Sequence, residues 1–191
     1  MNKAAFLDRD GVINRDCGYV YRLQDLELLP GVVEGLQTLQ RAGYLLVVVT
    51  NQSGIARGLY SESDYDQFTR ALRSRLQEHG VELSAVYHCP HLPDAPVLQY
   101  RMQCDCRKPR PGMLRQAMKD MNIDPQRSFL VGDKPSDVQA GHAAGVPRCY
   151  LIDASSSAEV PPRQVDGVFD SLAACVQVAV AEPGSYANVC A

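Results

Sequence analysis

Short apolar runs alternate with longer stretches of helical spacing, and this alternation constrains the fold more than any other feature of the chain. AAFLD at 4–8, LLVVVT at 45–50, AVYHC at 85–89, SFLVGD at 128–133 and CYLID at 149–153 are too short for helices and are read as buried strands. Between them, VVEGLQTLQRAG at 32–43, SDYDQFTRALRSRLQEHG at 63–80, GMLRQAMKDMN at 112–122 and SDVQAGHAAG at 136–145 place apolar residues at helical intervals and end in Gly or Asn. A strand, a helix and another strand close as a right-handed parallel crossover. The expected fold is therefore an α/β doubly wound parallel sheet with helices on both faces. A chain of 191 residues is too short for two ordinary enzyme domains, so one domain over residues 1–181 is expected. The last ten residues, 182–191, have no periodic apolar pattern and are expected to be a frayed tail.

Composition narrows the function classes. A net charge of −3 argues against a general nucleic-acid footprint, so any basic site must be local. The apolar run at 44–49 is too short to span a bilayer, and the N-terminal apolar stretch stops at Asp8, short of a signal-peptide core. A cytoplasmic protein without membrane or nucleic-acid partners is expected. In a reducing compartment its seven cysteines are read as thiols or metal ligands rather than disulfides.

Ligands of such sheets bind outside the carboxyl ends of the strands, and three predicted strands end in Asp8, Thr50 and Asp133. These three residues are expected to meet. In DRDG, Asp8 and Asp10 straddle Arg9, and in extended backbone both carboxylates can face one pocket. A divalent cation would relieve their repulsion, although a lone DxD is also the pattern of a solvated turn. Thr50 opens TNQSG, where a hydroxyl and backbone N–H groups can cup phosphate oxygens. Lys108 stands before the proline-rich entry to a helix, and Asp137 falls in the opening turn of another, where the helix dipole favours any acid.

The ordered set DxD, Thr, Lys and GDxxxD resembles the haloacid dehalogenase (HAD)-like phosphatases. FLDRDGVIN, DxGY at 16–19, LLPG, TNQSGIARG, CPH, CDCRKPRPGM and VGDKPSDVQAG, spread over residues 6–147, resemble the D-glycero-D-manno-heptose 1,7-bisphosphate 7-phosphatase family of bacterial envelope biosynthesis. The resemblance implies a Mg²⁺-dependent phosphatase with a small sugar bisphosphate as substrate, in the making of ADP-heptose and lipopolysaccharide precursors. Asp8 would be the nucleophile, Asp10 the general acid and base, and Thr50 and Lys108 the holders of the phosphoryl oxygens. Mg²⁺ would be bound by Asp8, the backbone of Asp10 and Asp133, with the backbone of Lys134 as a further candidate and Asp137 in support. Substrate contacts would come from Arg9, Asp16, Cys17, Gly18, Tyr19, Asn51, Gln52, Ser53 and Arg107, the last on the phosphate that stays behind. There is no room for a full cap domain, and a monomer is expected.

The segment from 87 to 112 is rich in proline, cysteine and histidine. Cys-x-His, twelve residues, then Cys-x-Cys supplies Cys89, His91, Cys104 and Cys106, the number of ligands a closed tetrahedral zinc site needs. With the resemblance included, structural Zn²⁺ pinning this loop is the reading, and His88, which could substitute as a ligand, is read as packed or solvated at a strand end. The histidinol-phosphate phosphatases share the aspartates and a similar loop but typically show TNQDG where this chain has TNQSG. They are the enzymatic alternative, and a non-catalytic zinc module that binds phosphorylated ligands is the other.

Overall fold

Leu46, Val47, Val48, Val49 and Thr50 are all buried, which requires a sheet covered on both faces. The structure, a computed structural model, describes residues 1–152 and 165–181. Its strands are β1 (Lys3–Leu7), β2 (Tyr44–Asn51), β3 (Ala85–Cys89), β4 (Phe129–Gly132), β5 (Arg148–Ile152) and β6 (Gly167–Phe169). They form one parallel sheet in the order β3-β2-β1-β4-β5-β6. The order reverses beside β1, and the crevice opens there, at the ends of β1, β2 and β4.

Strand alternation divides the core in two. Ala5 and Leu7 of β1, Leu46 and Val48 of β2, and Phe129 and Val131 of β4 pack with α1 (Val32–Arg41), α3 (Glu62–Gln77) and α6 (Leu172–Val180). Ala4, Phe6, Val47, Val49 and Leu130 point the other way, toward α4 (Gly112–Asp120) and α5 (Pro135–Ala144). A single turn of helix, α2 (Ser53–Ala56), follows β2 directly.

The helices stop where left-handed backbone begins. Asn122, one residue beyond the cap of α4, has φ +49°, and Gly145 at the end of α5 has φ +89°. The predicted strands and helices all occur, with ends shifted by up to three residues. The short strand β6 and the helix α6, capped by Ser171 on the Ala174 N–H, were not read from the sequence. Asp153 of the fifth predicted strand and the predicted tail at 182–191 lie outside the described residues.

Among the described residues, no independent sheet or bundle interrupts the core. The interval between β1 and β2 holds one 3-10 turn at Leu23–Asp25 and α1, and the interval between β2 and β3 holds only α2 and α3. Among the described residues, no helix is long and apolar enough to cross a membrane.

Candidate active site

Asp8 leaves β1, Thr50 lies within β2 and Asp133 leaves β4, so the register of three neighbouring parallel strands brings them to one place. Asp8 and Thr50 line a cavity of about 530 Å³ together with Asp10, Lys108 and Asp137, and Asp133 lines a second cavity of about 500 Å³ that shares Asp16 with it. Carboxylate oxygens of Asp8, Asp133 and Asp137 lie within 4.8 Å of one another. Three acids this close need cations.

Lys108 supplies one. Its ammonium is 2.9 Å from Asp8 Oδ1, 2.5 Å from Asp137 Oδ1 and 2.7 Å from the Val49 carbonyl oxygen. Burial alone would discharge this lysine, yet the charges of Asp137 and Asp8 outweigh it and hold its pKa above the ordinary value. Asn51 grips the backbone of Lys108 from both sides, its Oδ1 accepting the Lys108 N–H at 3.0 Å and its Nδ2 donating to the Lys108 carbonyl at 3.0 Å. An exposed lysine on a proline-rich loop is thereby turned into a buried one aimed at Asp8.

Asp137 does two jobs at once. Besides pairing with Lys108, it accepts the N–H groups of Asp133 (3.3 Å) and Lys134 (3.0 Å) through Oδ2, satisfying donors at the start of α5. Gly132 permits this approach, since a Cβ there would collide with the Asp137 side chain.

Asp133 is set up differently. Burial, followed by the charge of Asp8, pushes its pKa up to about 7, and its buried Oδ1 has no hydrogen-bond partner among the described residues. A Cβ on Gly11 would lie 2.5 Å from Asp133 Oδ2, so the glycine leaves room for that carboxylate beside the β1 loop. A buried, unpartnered carboxylate oxygen beside a second carboxylate fits a hard divalent cation with oxygen ligands. The Lys134 ammonium lies 3.2 Å from both Asp133 Oδ2 and Asp16 Oδ2, while its backbone carbonyl accepts the Asp137 N–H.

Of the residues read as substrate contacts, Asp16, Gly18 and Tyr19 line the cavity on one side, and Asn51, Gln52, Ser53 and Arg107 on the other. Two stand elsewhere. Cys17 is exposed and outside the lining, and Arg9 lies beneath the cavity, 1% exposed, with its guanidinium bonded to protein groups. Tyr60 and Ser136 line the cavity but were not read from the sequence. Tyr60 donates to Gln52 Oε1 at 2.5 Å, a partnership between residues eight apart that no motif announces.

Cys89, at the end of β3, and His91, Cys104 and Cys106 bring one ligand atom each to within 4.8 Å of the others. Cys106 Sγ is 3.1 Å from Cys89 Sγ and 3.2 Å from Cys104 Sγ, all as free thiols. Three soft sulfurs and one imidazole nitrogen in one cluster fit a tetrahedral metal. His88 is not part of it, its ring packing on Tyr65 with centroids 4.1 Å apart.

Residues 105–175 match the family profile described as HAD-hydrolase-like. D-glycero-beta-D-manno-heptose-1,7-bisphosphate 7-phosphatase of Pasteurella multocida is 46% identical over 174 residues, covering 91% of this chain and 94% of that protein. The chain belongs to the heptose-1,7-bisphosphate 7-phosphatase family. A member from Photorhabdus laumondii, named for the alpha anomer, is 48% identical over 150 residues, 78% of this chain and 82% of that protein. The crystal structure of D,D-heptose 1,7-bisphosphate phosphatase from B. bronchiseptica, complexed with magnesium and phosphate, superposes with a TM-score of 0.81 at 32% identity, covering 92% of this chain and 97% of that one. As a member of this family the chain is a HAD-type phosphoric monoester hydrolase.

Proposed function

We propose that this chain removes the 7-phosphate of D-glycero-D-manno-heptose 1,7-bisphosphate through an aspartyl-phosphate on Asp8, supplying heptose 1-phosphate for bacterial surface-glycan precursors. The observation that carries the reading is the buried Asp8–Lys108–Asp137 chain at the floor of a cavity bordered by Thr50 and Arg107. Asp8 Oδ attacks phosphorus while the sugar oxygen departs, and Asp10 gives that oxygen its proton. Water then attacks the same phosphorus, its proton passes to Asp10, and the Asp8 carboxylate is restored. Thr50 and the Lys108 ammonium hold the phosphoryl oxygens, and the Lys108 charge offsets the charge that accumulates there.

Mg²⁺ would be held by the carboxylates of Asp8 and Asp133 and the backbone carbonyl of Asp10. It would supply positive charge beside the phosphoryl group, and the pairing of Asp133 with the Lys134 ammonium supports a cation at this position. Zn²⁺ would be held by Cys89, His91, Cys104 and Cys106. With all four ligands from protein it leaves no position for substrate, so its work is to fix the loop that carries Arg107 and Lys108. Arg107, which donates to the His91 carbonyl at 3.3 Å, lines the cavity from this loop and suits the phosphate that stays on the sugar.

Assaying both anomers of heptose 1,7-bisphosphate beside histidinol phosphate tests the reading. Turnover of at least one heptose anomer with release of the 7-phosphate, and far slower turnover of histidinol phosphate, is expected. Preference for histidinol phosphate would overturn the proposed substrate.

A further inference from the structure

We propose that Arg9 is a positioning residue for Asp10 rather than a contact for substrate. The inference rests on Asp10 being the general acid and base. Alternate residues of extended chain face opposite ways, so Asp8 and Asp10 turn to the cavity while Arg9 turns beneath it. Its guanidinium lies 4.6 Å from the Phe68 ring centroid and 5.7 Å from that of Tyr65, against the inner face of α3.

A buried guanidinium must spend its donors, and Arg9 aims two of its nitrogens at one carboxylate. Nε donates to Asp10 Oδ1 and Nη2 to Asp10 Oδ2, both at 2.9 Å, a two-point fork on a carboxylate. Nη2 also meets the Val20 carbonyl (2.8 Å) and Gln52 Oε1 (3.3 Å). Asn14 Nδ2 adds a bond to Asp10 Oδ1 at 2.9 Å, and Gln52 Nε2 one to Asp10 Oδ2 at 3.0 Å. Gln52 is itself oriented, since its Oε1 accepts from Tyr60 and Arg9 while its Nε2 also reaches Thr50 Oγ1 at 2.9 Å. Among the described residues each Asp10 oxygen thus has two donors, and only Arg9 touches both. When Asp10 carries the proton it delivers, one contact is released, and the neutral amides are weaker partners than the charged fork.

The arrangement predicts a kinetic signature that a merely structural arginine would lack. The first displacement needs Asp10 in proportion to the basicity of the leaving oxygen, so a sugar alkoxide needs the proton and a nitrophenolate does not. The second displacement, water on the Asp8 phosphoryl group, needs Asp10 whatever the substrate was. Slack in Asp10 therefore slows the first step for a sugar phosphate and the second step for a nitrophenyl phosphate.

Arg9→Met and Arg9→Lys, with Asp10→Asn as reference, are measured with heptose 1,7-bisphosphate in the steady state and with 4-nitrophenyl phosphate by rapid mixing, all with Mg²⁺. Arg9→Met is expected to lower kcat on the sugar bisphosphate about 10²-fold, the scale of a misplaced catalytic group, with KM little changed. On 4-nitrophenyl phosphate it is expected to give a burst of one nitrophenolate per chain followed by slow turnover. Arg9→Lys, which keeps the buried charge without the fork, falls between and carries the test should Arg9→Met not fold. A raised KM with unchanged kcat would make Arg9 a substrate contact, and equal losses on both substrates without a burst would make it structural. Either result overturns the inference. Wild-type turnover of the sugar bisphosphate by Asp10→Asn would instead overturn the acid–base reading beneath it, whereas an impaired Asp10→Asn beside unimpaired Arg9 variants would overturn the Arg9 inference alone.

Discussion

Asp137→Asn separates the ion pair with Lys108 from the cap on α5, because the amide keeps the shape of the carboxylate. Its carbonyl oxygen can still accept the Asp133 and Lys134 N–H groups, now 3.3 and 3.0 Å from Oδ2, but its NH₂ then faces the Lys108 ammonium 2.5 Å from where Oδ1 stood. Both side chains are about 2% exposed, so water cannot replace the lost partner. Breaking a fully buried pair costs about 3–5 kcal/mol, but Lys108 keeps Asp8 and the Val49 carbonyl, which lowers the figure to about 1.5–3 kcal/mol for one charged hydrogen bond. For a chain of this size that is a fall of about 3–12 °C in Tm. Lys108 then keeps one carboxylate partner instead of two, and kcat is expected to drop by about 10–10²-fold through misplacement. Asp137→Ala removes the cap as well and costs about 1 kcal/mol more. Thermal melts followed by circular dichroism, with kcat measured on the same preparations, check both. An unchanged midpoint and rate in Asp137→Asn would refute the role given to the pair, and equal losses in Asn and Ala would leave nothing for the cap.

Elemental analysis is expected to find about one zinc per chain that survives gel filtration, with Cys104→Ser binding it less tightly and moving less activity through a loosened Lys108 loop. Because Asp133 sits at about 7, raised above the ordinary carboxylate value, Mg²⁺ must displace a proton below that pH. Titration calorimetry should therefore show apparent Mg²⁺ affinity rising about tenfold per pH unit up to neutrality and levelling above it, and a flat profile would count against Asp133 as a ligand. Arg107→Ala should raise KM and lower kcat/KM for the heptose bisphosphate by about 1.5–3 kcal/mol while leaving a small aryl phosphate little affected. Equal losses on both would move Arg107 to the reacting centre.

Much of this arrangement could be read from the sequence because local patterns carry it. Period-two and helical spacing mark the strands and helices that end at Asp8, Thr50 and Asp133, and parallel register converts three strand ends into one site. Cys89, His91, Cys104 and Cys106 are likewise paired by spacing. The partners of each polar group were less legible. That Asn51 spends both ends of its amide on Lys108, 57 residues away, depends on how the loop after Cys106 folds back, and no spacing encodes it. Arg9 is placed by the strand alternation that turns its neighbours toward the cavity and leaves it beneath, 1% exposed, a burial that the reading of it as a substrate contact did not foresee. Helix α6 escaped notice because its apolar residues run almost without interruption from Leu172 to Val180, leaving no polar face to set a period.

The central claim, that Asp8 takes the 7-phosphate covalently, is tested most directly by mixing enzyme and Mg²⁺ with heptose bisphosphate radiolabelled at the 7-phosphate, quenching in acid within one turnover and mapping the label by peptide mass analysis. The account predicts label on the peptide containing Asp8, lost to hydroxylamine and absent in Asp8→Asn, with unlabelled heptose 1-phosphate as the sugar product. Labelled inorganic phosphate formed without any protein-bound label, or a sugar product that keeps the 7-phosphate, would contradict it.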